Sequence, residues 1–242
     1  MKYIVEIKVE YNKALFKFDT AKEAGSFIAL LATNNIKSED EVTFSMKAVQ
    51  EVKEKIKELL FSTERKGVDK LLEQMDEIGF FDAPASTKFH GAKDGMLAEH
   101  SLNVYEYAHK LAKSWLSSEE YKAMTDSITL CAILHDLGKA GDYGKKNYIE
   151  NILKNGKRSE KIPFVRNSEL SYVDHEIRSI KICSKYIELT EEEEFAILYH
   201  NGMYGNLKYA LQGKETPLQM IIHFADMWAS RVIEKENPND EI

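Results

Sequence analysis

The segment that decides the fold runs from Leu130 to Lys139 and reads LCAILHDLGK. Five apolar residues lead directly into the adjacent polar pair His135-Asp136, and glycine and lysine follow. This order predicts an apolar helix that ends in two polar side chains beside a loop. Burying such a pair without partners costs several kcal/mol. Either a bound cation or a capped helix end, with the histidine near the helix dipole, must therefore compensate the pair.

Six polar residues occupy five positions along the chain, and successive positions are separated by about one helix and one connection. They are His100, His135, Asp136, His175, His200 and Asp226. Successive helices of a bundle can each direct one ligand into a common interior. Imidazole and carboxylate groups suit a transition metal such as manganese, iron, nickel or zinc. The sequence therefore predicts a His/Asp metal centre with one or two divalent ions, for which magnesium is a further option.

Apolar residues recur at helical spacing through most of the chain after residue 52. The stripes predict helices near 97–116, 127–137, 172–188, 191–200 and 216–234. On a regular helix, Arg231 is expected to face away from Asp226, which lies five residues earlier. The larger part of the chain is thus predicted to be an all-helical bundle.

The first fifty residues follow a different pattern. Alternating apolar residues from Tyr3 to Val9 predict a half-buried strand, an Asn12-Lys13 turn leads to a second strand, and alternation returns near residue 44. Between the strands, Thr20 and Glu23 form a capping-box start for a helix. This ββαβ pattern contains no histidine, cysteine or glycine-rich loop, so we interpret it as a docking or oligomerisation module for a protein partner or a second copy.

The predicted fold class is mainly α, with a small N-terminal α+β accessory domain. We divide the chain into the ββαβ domain at 1–50, a connecting helix at 51–64, the helical domain at 65–236 and a flexible tail at 237–242.

Composition excludes several classes of protein. Of 242 residues, 43% are hydrophobic and 30% are charged, which excludes collagen-like, low-complexity and wholly disordered chains. No apolar run approaches the roughly 20 residues of a membrane-spanning helix, and the amino terminus lacks a signal-peptide core. Cys131 and Cys183 lie far apart in apolar stretches, as expected in a reducing compartment. These features predict a soluble cytoplasmic protein.

One basic segment interrupts an acidic chain. The net charge is −7, yet Lys139–Arg166 holds eight basic and three acidic residues, which leaves −12 for the remainder. A positive segment beside the predicted centre can attract phosphates. We take Lys139, Lys145 and Lys146 as candidate phosphate-binding residues. The alternatives are an ordinary solvated loop and helix and, for Lys139, a lysine that caps the helix end.

Five short motifs, taken in order, resemble those of the HD-domain metal-dependent phosphohydrolase superfamily over roughly residues 65–234. They are FHGAKDGMLAEHSLNV at 89–104, HDLGK at 135–139, DHE at 174–176, HNG at 200–202 and HFAD at 223–226. The resemblance implies a helical bundle and two ion positions. The ligands that it implies for the first ion are His100, His135, Asp136 and Asp226. It also implies that Asp136 bridges to a second ion held by His175 and His200.

Within the superfamily, the motifs are most similar to the HD half of bacterial 3′–5′ exoribonucleases. Two departures stand out. Asn201 occupies a position where those enzymes usually carry a second histidine, and their OB fold is replaced here by the ββαβ pattern. Met203-Tyr204-Gly205 only faintly resembles the Gly-Tyr-Pro signature of HD-GYP phosphodiesterases.

The function predicted from these residues is hydrolysis of a nucleotide phosphoester by a metal-activated water. Asp136 and Lys139 are the predicted catalytic residues, and His90 joins the lysines as a predicted substrate contact. The alternatives are a 3′–5′ exonuclease acting on the 3′ end of single-stranded nucleic acid, and a non-catalytic HD scaffold that binds a nucleotide or a protein partner.

Overall fold

The computed structural model describes residues 3–9, 12–18, 45–88 and 91–235. Contacts between residues divide the chain into two units, 1–55 and 56–242. The helix predicted from Thr20 and the tail predicted from 237 lie outside the described residues, as does His90.

The first unit contains a small antiparallel sheet with strand order β2-β1-β3. Its strands are β1 (Tyr3–Val9), β2 (Asn12–Phe18) and β3 (Ser45–Ala48). Asn12 and Lys13, interpreted above as the turn, belong to β2 and pair with Val9 and Lys8 of β1.

The second unit is mainly helical, which confirms the predicted class. Helix α1 begins at the end of the first unit. The helices are α1 (Val49–Ser62), α2 (Val68–Glu77), α3 (Met96–Trp115), α4 (Ser118–Leu134), α5 (His175–Cys183), α6 (Glu191–Leu198), α7 (Lys208–Leu211) and α8 (Pro217–Trp228). Shorter 3₁₀ turns occupy Phe80–Asp82, Leu137–Lys139 and Gly202–Tyr204, and a π-helix, Ala229–Ile233, follows α8 directly. No helix in the described ranges combines the length and apolar character that crossing a bilayer demands.

The basic segment after α4 departs from the prediction of an all-helical domain. It forms two short hairpins, β4 (Gly141–Asp142) with β5 (Lys145–Lys146), and β6 (Tyr148–Glu150) with β7 (Phe164–Arg166). Tyr143 and Gly144, between β4 and β5, both have positive φ, as a tight two-residue hairpin turn requires. These strands have two or three residues each, too few for alternation to be recognised in the sequence.

Helix α4 begins nine residues before its predicted start at 127. Ser117 and Glu120 form a capping box in which the Ser117 Oγ accepts the Glu120 N–H at 3.3 Å and Glu120 accepts the Ser117 N–H at 2.8 Å. The cap satisfies backbone donors that an uncapped helix would leave free. The first turns of α4 are exposed and polar, so the apolar stripe alone marks only its buried half.

The core lies between α3, α4, α6 and α8. Thirteen buried residues form it: Val104, Ala108, Ala112, Ile128, Cys131, Ala132, Ala196, Ile197, Leu218, Ile221, Ile222, Ala225 and Ala229. Alanine is frequent among them, and small side chains allow helices to approach closely. The polar ends of these helices are thereby brought to one side of a dry interior.

His109 is a buried histidine of the α3–α4 contact, nine residues after His100 on α3. Its Nδ1 lies 2.9 Å from the Tyr121 hydroxyl and its Nε2 lies 3.0 Å from Thr129 Oγ1. Burial, with a smaller effect of Lys113, lowers its pKa from 6.5 to about 4. His109 is therefore neutral at pH 7 and serves to join two helices.

We expect His109 to make the free energy of unfolding depend on pH. Between pH 6.5 and 4 the unfolded chain binds the extra proton, so stability falls as the pH is lowered, by about 2 kcal/mol between pH 7 and 5. In His109→Gln this part of the loss should disappear. Urea unfolding of both proteins at the two pH values, at equal Mn²⁺ concentration, measures it. Parallel pH profiles would contradict the assignment.

Candidate metal centre

Five chain segments bring the six predicted ligands together. His100 lies on α3 and Asp226 on α8, His135-Asp136 follows α4, His175 is the first residue of α5, and His200 follows α6. Five of the six fall into two groups in which one ligand atom of each residue lies within 4.8 Å of the others: His100, His135 and Asp226, and His135, Asp136 and His200. His175 belongs to neither group.

The first group contains two imidazoles that face each other. The Nε2 atoms of His100 and His135 are 3.3 Å apart, and His100 Nε2 is 3.1 Å from Asp226 Oδ1. The Nδ1 of His135 donates to the Ala132 carbonyl at 2.9 Å, and the Nδ1 of His100 lies 3.0 Å from Glu234 Oε1. When both rings are neutral, the acceptors at the two Nδ1 atoms leave a lone pair on each Nε2 atom. Two facing lone pairs repel each other unless a cation lies next to them.

The second pair repeats this arrangement. The Nε2 atoms of His175 and His200 are 3.4 Å apart, and the Nδ1 of His200 donates to the Ile197 carbonyl at 2.8 Å. Asp136 Oδ1 lies 3.1 Å from His175 Nε2 and 3.5 Å from His200 Nε2. Within the described residues this buried oxygen accepts no hydrogen bond. Such an atom is costly unless it coordinates something.

Asp136 lies between the two pairs. Its Oδ2 is 3.5 Å from His100 Nε2, 3.4 Å from His135 Nε2 and 2.6 Å from Lys139 Nζ. Burial raises the pKa of this carboxyl, but Lys139 and His135 lower it more, so that it stays well below its ordinary value. Asp136 is thus a fixed anion with one oxygen directed at each pair of imidazoles.

The electrostatic field of the first group favours a cation. Burial alone would lower the pKa of His100, but Asp226 and Glu234 raise it to about 10. Burial likewise lowers the pKa of Lys139, and the carboxylates of Asp136 and Asp226 outweigh it and raise the value. A site that attracts positive charge, lined by imidazole nitrogens and carboxylate oxygens, has the donor set of a divalent transition metal.

Asn201 presents its amide nitrogen to the second pair. The nitrogen donates to Glu176 Oε1 at 2.6 Å and lies 3.1 Å from His200 Nε2 and 3.4 Å from His175 Nε2. Its contact with a carboxylate fixes this orientation of the amide. The N–H group therefore already contacts the second pair, whereas the first pair of imidazoles has no such donor among the described residues.

Gly138 sets the distance between α5 and the end of α4. A Cβ on Gly138 would lie 2.2 Å from the His175 carbonyl oxygen and 2.9 Å from the Ser179 backbone nitrogen. The Ser179 hydroxyl donates to the His135 carbonyl and accepts the Gly138 N–H, each at 2.8 Å. Glycine in HDLGK thus permits the close approach that places His175 beside Asp136.

Glu234 is a buried contact of the centre that the sequence analysis missed. Besides His100, it accepts the Asn103 side-chain N–H at 2.9 Å. It follows the π-helix, where the Glu234 N–H bonds to the Ala229 carbonyl at 3.0 Å, an i→i−5 bond. A 3.6-residue period does not direct Glu234 toward α3. Its position could therefore be predicted only by recognising the π-helix.

We expect Glu234→Ala to weaken Mn²⁺ binding about 10- to 100-fold, since carboxylates behind a metal-binding histidine fix its tautomer and orientation. Glu234→Gln keeps an acceptor for Nδ1 and should lose less. Calorimetric titration with Mn²⁺ measures both, with the exposed Glu215→Ala as the control. If Glu234→Ala bound Mn²⁺ as tightly as the parent, the carboxylate would not support His100.

The predicted phosphate-binding lysines separate in the structure. Lys139 contacts the centre, because its Nζ donates to Asp136 Oδ2. Lys145 donates to the Glu169 carbonyl at 2.9 Å and lines a different cavity of about 430 Å³ with Tyr143, Arg178 and other residues. Lys146 is exposed in β5. His223, near Asp226 on α8, donates from Nδ1 to the His200 carbonyl at 2.8 Å.

Histidine and aspartate side chains that converge from the ends of bundled helices define a helical protein with a metal-type centre. The HD domain family model matches residues 97–229, more than half of the chain, and the chain therefore belongs to the HD domain family. This match confirms the resemblance given by the motifs. Comparisons with curated proteins and with solved structures find no match. Membership implies a metal-dependent phosphohydrolase family whose domains bind divalent metals.

Proposed function

We propose that the protein hydrolyses a phosphoester of a nucleotide at the centre between α3, α4, α5 and α8. The observation that carries the proposal is the arrangement around Asp136. In two pairs of imidazoles the Nε2 atoms lie 3.3 and 3.4 Å apart, and one buried carboxylate oxygen has no hydrogen-bond donor among the described residues. Cation binding explains all of these features together.

His100, His135, Asp136 and Asp226 are the proposed ligands of the resident ion. His175 and His200, with Asp136 as the bridge, are the proposed ligands of a second. The first position is favoured, because the Asn201 amide must turn away before an ion contacts the second pair. A divalent cation bound at the first position would lower the pKa of a coordinated water from about 15.7 towards 7 and polarise a phosphoryl oxygen.

Lys139 is the proposed cationic partner of the phosphoryl group. Its ammonium stays charged because two carboxylates raise its pKa, and its side chain keeps 21% of its exposure. It can therefore donate to an anionic oxygen at the centre without losing Asp136. A preorganised cation of this kind stabilises charge that develops in the transition state. His90, Lys145 and Lys146 stay predicted substrate contacts.

A 3′–5′ exonuclease is the second candidate. The basic segment, net +5 between Lys139 and Arg166, forms hairpins directly after the HDLGK motif and supports contact with a longer polyanion. The overall charge of −7 supports the smaller substrate, since an acidic surface repels nucleic acid.

The test is a substrate panel with Mn²⁺-loaded protein. Nucleoside mono- and triphosphates are compared with labelled single-stranded RNA and DNA, and the metal content is measured on the same sample. We expect turnover of a mononucleotide. Stepwise shortening of the oligomers without mononucleotide turnover would favour the exonuclease, and nucleotide binding without any hydrolysis would favour the non-catalytic scaffold.

A further inference from the structure

Only some side chains of the centre are in contact with solvent. The side chains of His135, Asp136 and His200 are at most 1% exposed, whereas Asp226 keeps 18% and His175 keeps 25%. Lys139 keeps 21%, so a substrate reaches the centre past these three residues. The side chains that flank this opening are the ones that can select the substrate.

Tyr204 lies next to the opening. It ends the 3₁₀ turn that follows His200-Asn201, and this turn lies against His223, since a Cβ on Gly202 would fall 2.5 Å from the His223 ring. The Tyr204 and His223 ring centroids are 6.4 Å apart. His223 itself is three residues before Asp226, on the same helical face. Tyr204 is nevertheless 66% exposed, so a large aromatic face stays in water beside a polar site.

Arg231 stacks on Tyr204. Its guanidinium carbon lies 4.3 Å from the centroid of the tyrosine ring. A regular helix would have directed Arg231 away from Asp226, but the π-helix Ala229–Ile233 intervenes. Within the described residues, the guanidinium makes no hydrogen bond or salt bridge, and the Tyr204 hydroxyl makes no hydrogen bond. An aromatic face and a set of N–H donors are thus held together without a protein partner to satisfy them.

We propose that Tyr204 and Arg231 form the platform that recognises the nucleoside part of the substrate, with the base stacked on the exposed face of Tyr204 and Arg231 donating to a non-reacting phosphate oxygen. Aromatic side chains stack on bases with little sequence preference, and the arginine fork matches phosphate oxygens. The inference rests on the proposed function for the identity of the substrate, but base binding is measurable without turnover.

The experiment compares two probes on the Mn²⁺-loaded protein by calorimetric titration: adenosine 5′-monothiophosphate and ribose 5-phosphate, which lacks a base. We expect Tyr204→Ala to weaken binding of the thiophosphate about 10- to 100-fold and to leave ribose 5-phosphate unchanged. Tyr204→Phe should bind like the parent. Arg231→Ala should weaken both probes, because both carry a phosphate.

Tyr209→Ala is the matched control. Tyr209 is 80% exposed and also has a lysine, Lys208, over its ring, but it contacts no residue of the centre. It should change neither affinity. The proposal is overturned if Tyr204→Ala binds the thiophosphate like the parent, if both probes weaken equally, or if Tyr209→Ala has the same effect as Tyr204→Ala.

Failure of the platform and failure of the proposed function give different results. If Tyr204→Ala turns over the nucleotide with an unchanged KM, the proposed hydrolase function is supported and the platform is ruled out. If binding of the thiophosphate depends on Tyr204 but the parent protein hydrolyses no nucleotide, the platform is supported and the proposed hydrolase function is ruled out.

Discussion

Replacing Asp136 by asparagine is expected to reduce phosphoester hydrolysis by about 10³-fold and to remove most of the bound metal. The substitution keeps the size of the side chain but leaves one oxygen and an amide nitrogen between two pairs of imidazoles. An N–H donor there would occupy the lone pairs that a cation needs. Loss of several kcal/mol of charge stabilisation corresponds to a rate loss of this order.

Metal content after dialysis and the initial rate on the preferred nucleotide should fall together in this variant. The matched control is Asp126→Asn, an exposed aspartate on α4, which should leave both unchanged. If Asp136→Asn kept its metal and its rate, neither the bridge nor the reaction that we assign to this residue would stand.

The second large effect concerns stability. Glu193 is a fully buried carboxylate at the start of α6, and it pairs with Arg65 through two hydrogen bonds of 2.7 and 2.9 Å. It also accepts the Ser127 hydroxyl at 2.7 Å and the Thr190 N–H at 2.9 Å. One side chain thereby joins the loop after α1 to α4 and α6. Burial raises the pKa of Glu193, but Arg65 and the other hydrogen-bond donors outweigh this effect, so the pKa is lower than its ordinary value.

We expect Glu193→Ala to lower the free energy of unfolding by about 3–5 kcal/mol, because it removes the carboxylate that pairs with Arg65 and the side-chain half of the capping box that accepts the Thr190 N–H. Urea unfolding measures the change. Glu106→Ala, which breaks the exposed pair with Lys110, should leave stability within experimental error. A small effect of Glu193→Ala would mean that water replaces the carboxylate around Arg65.

The polar residues of the centre could be predicted from sequence because their chemistry is rare in helix interiors. A histidine-aspartate pair after five apolar residues has few explanations. The spacing from this pair to His175 predicted a helix, whereas the structure has two hairpins there. The helices themselves follow from apolar periodicity wherever one face is buried.

Other features were hidden for physical reasons. The hairpins after Lys139 depend on a turn at Tyr143-Gly144 and on long-range pairing, neither of which a periodic pattern reports. The orientation of the Asn201 amide depends on Glu176, which is distant in sequence. Glu234 and Arg231 could not be placed, because a single change of helical type alters the direction of every side chain beyond it.

That change of helical type has a wider consequence. A π-turn is equivalent to an α-helix into which one residue has been inserted. Removing one residue between 229 and 233 would restore an unbroken helix and rotate the following side chains by about 100°. The contact of Glu234 with His100 and the contact of Arg231 with Tyr204 would both be lost. The proposed metal binding and the proposed substrate selection would thus both depend on a single extra amino acid.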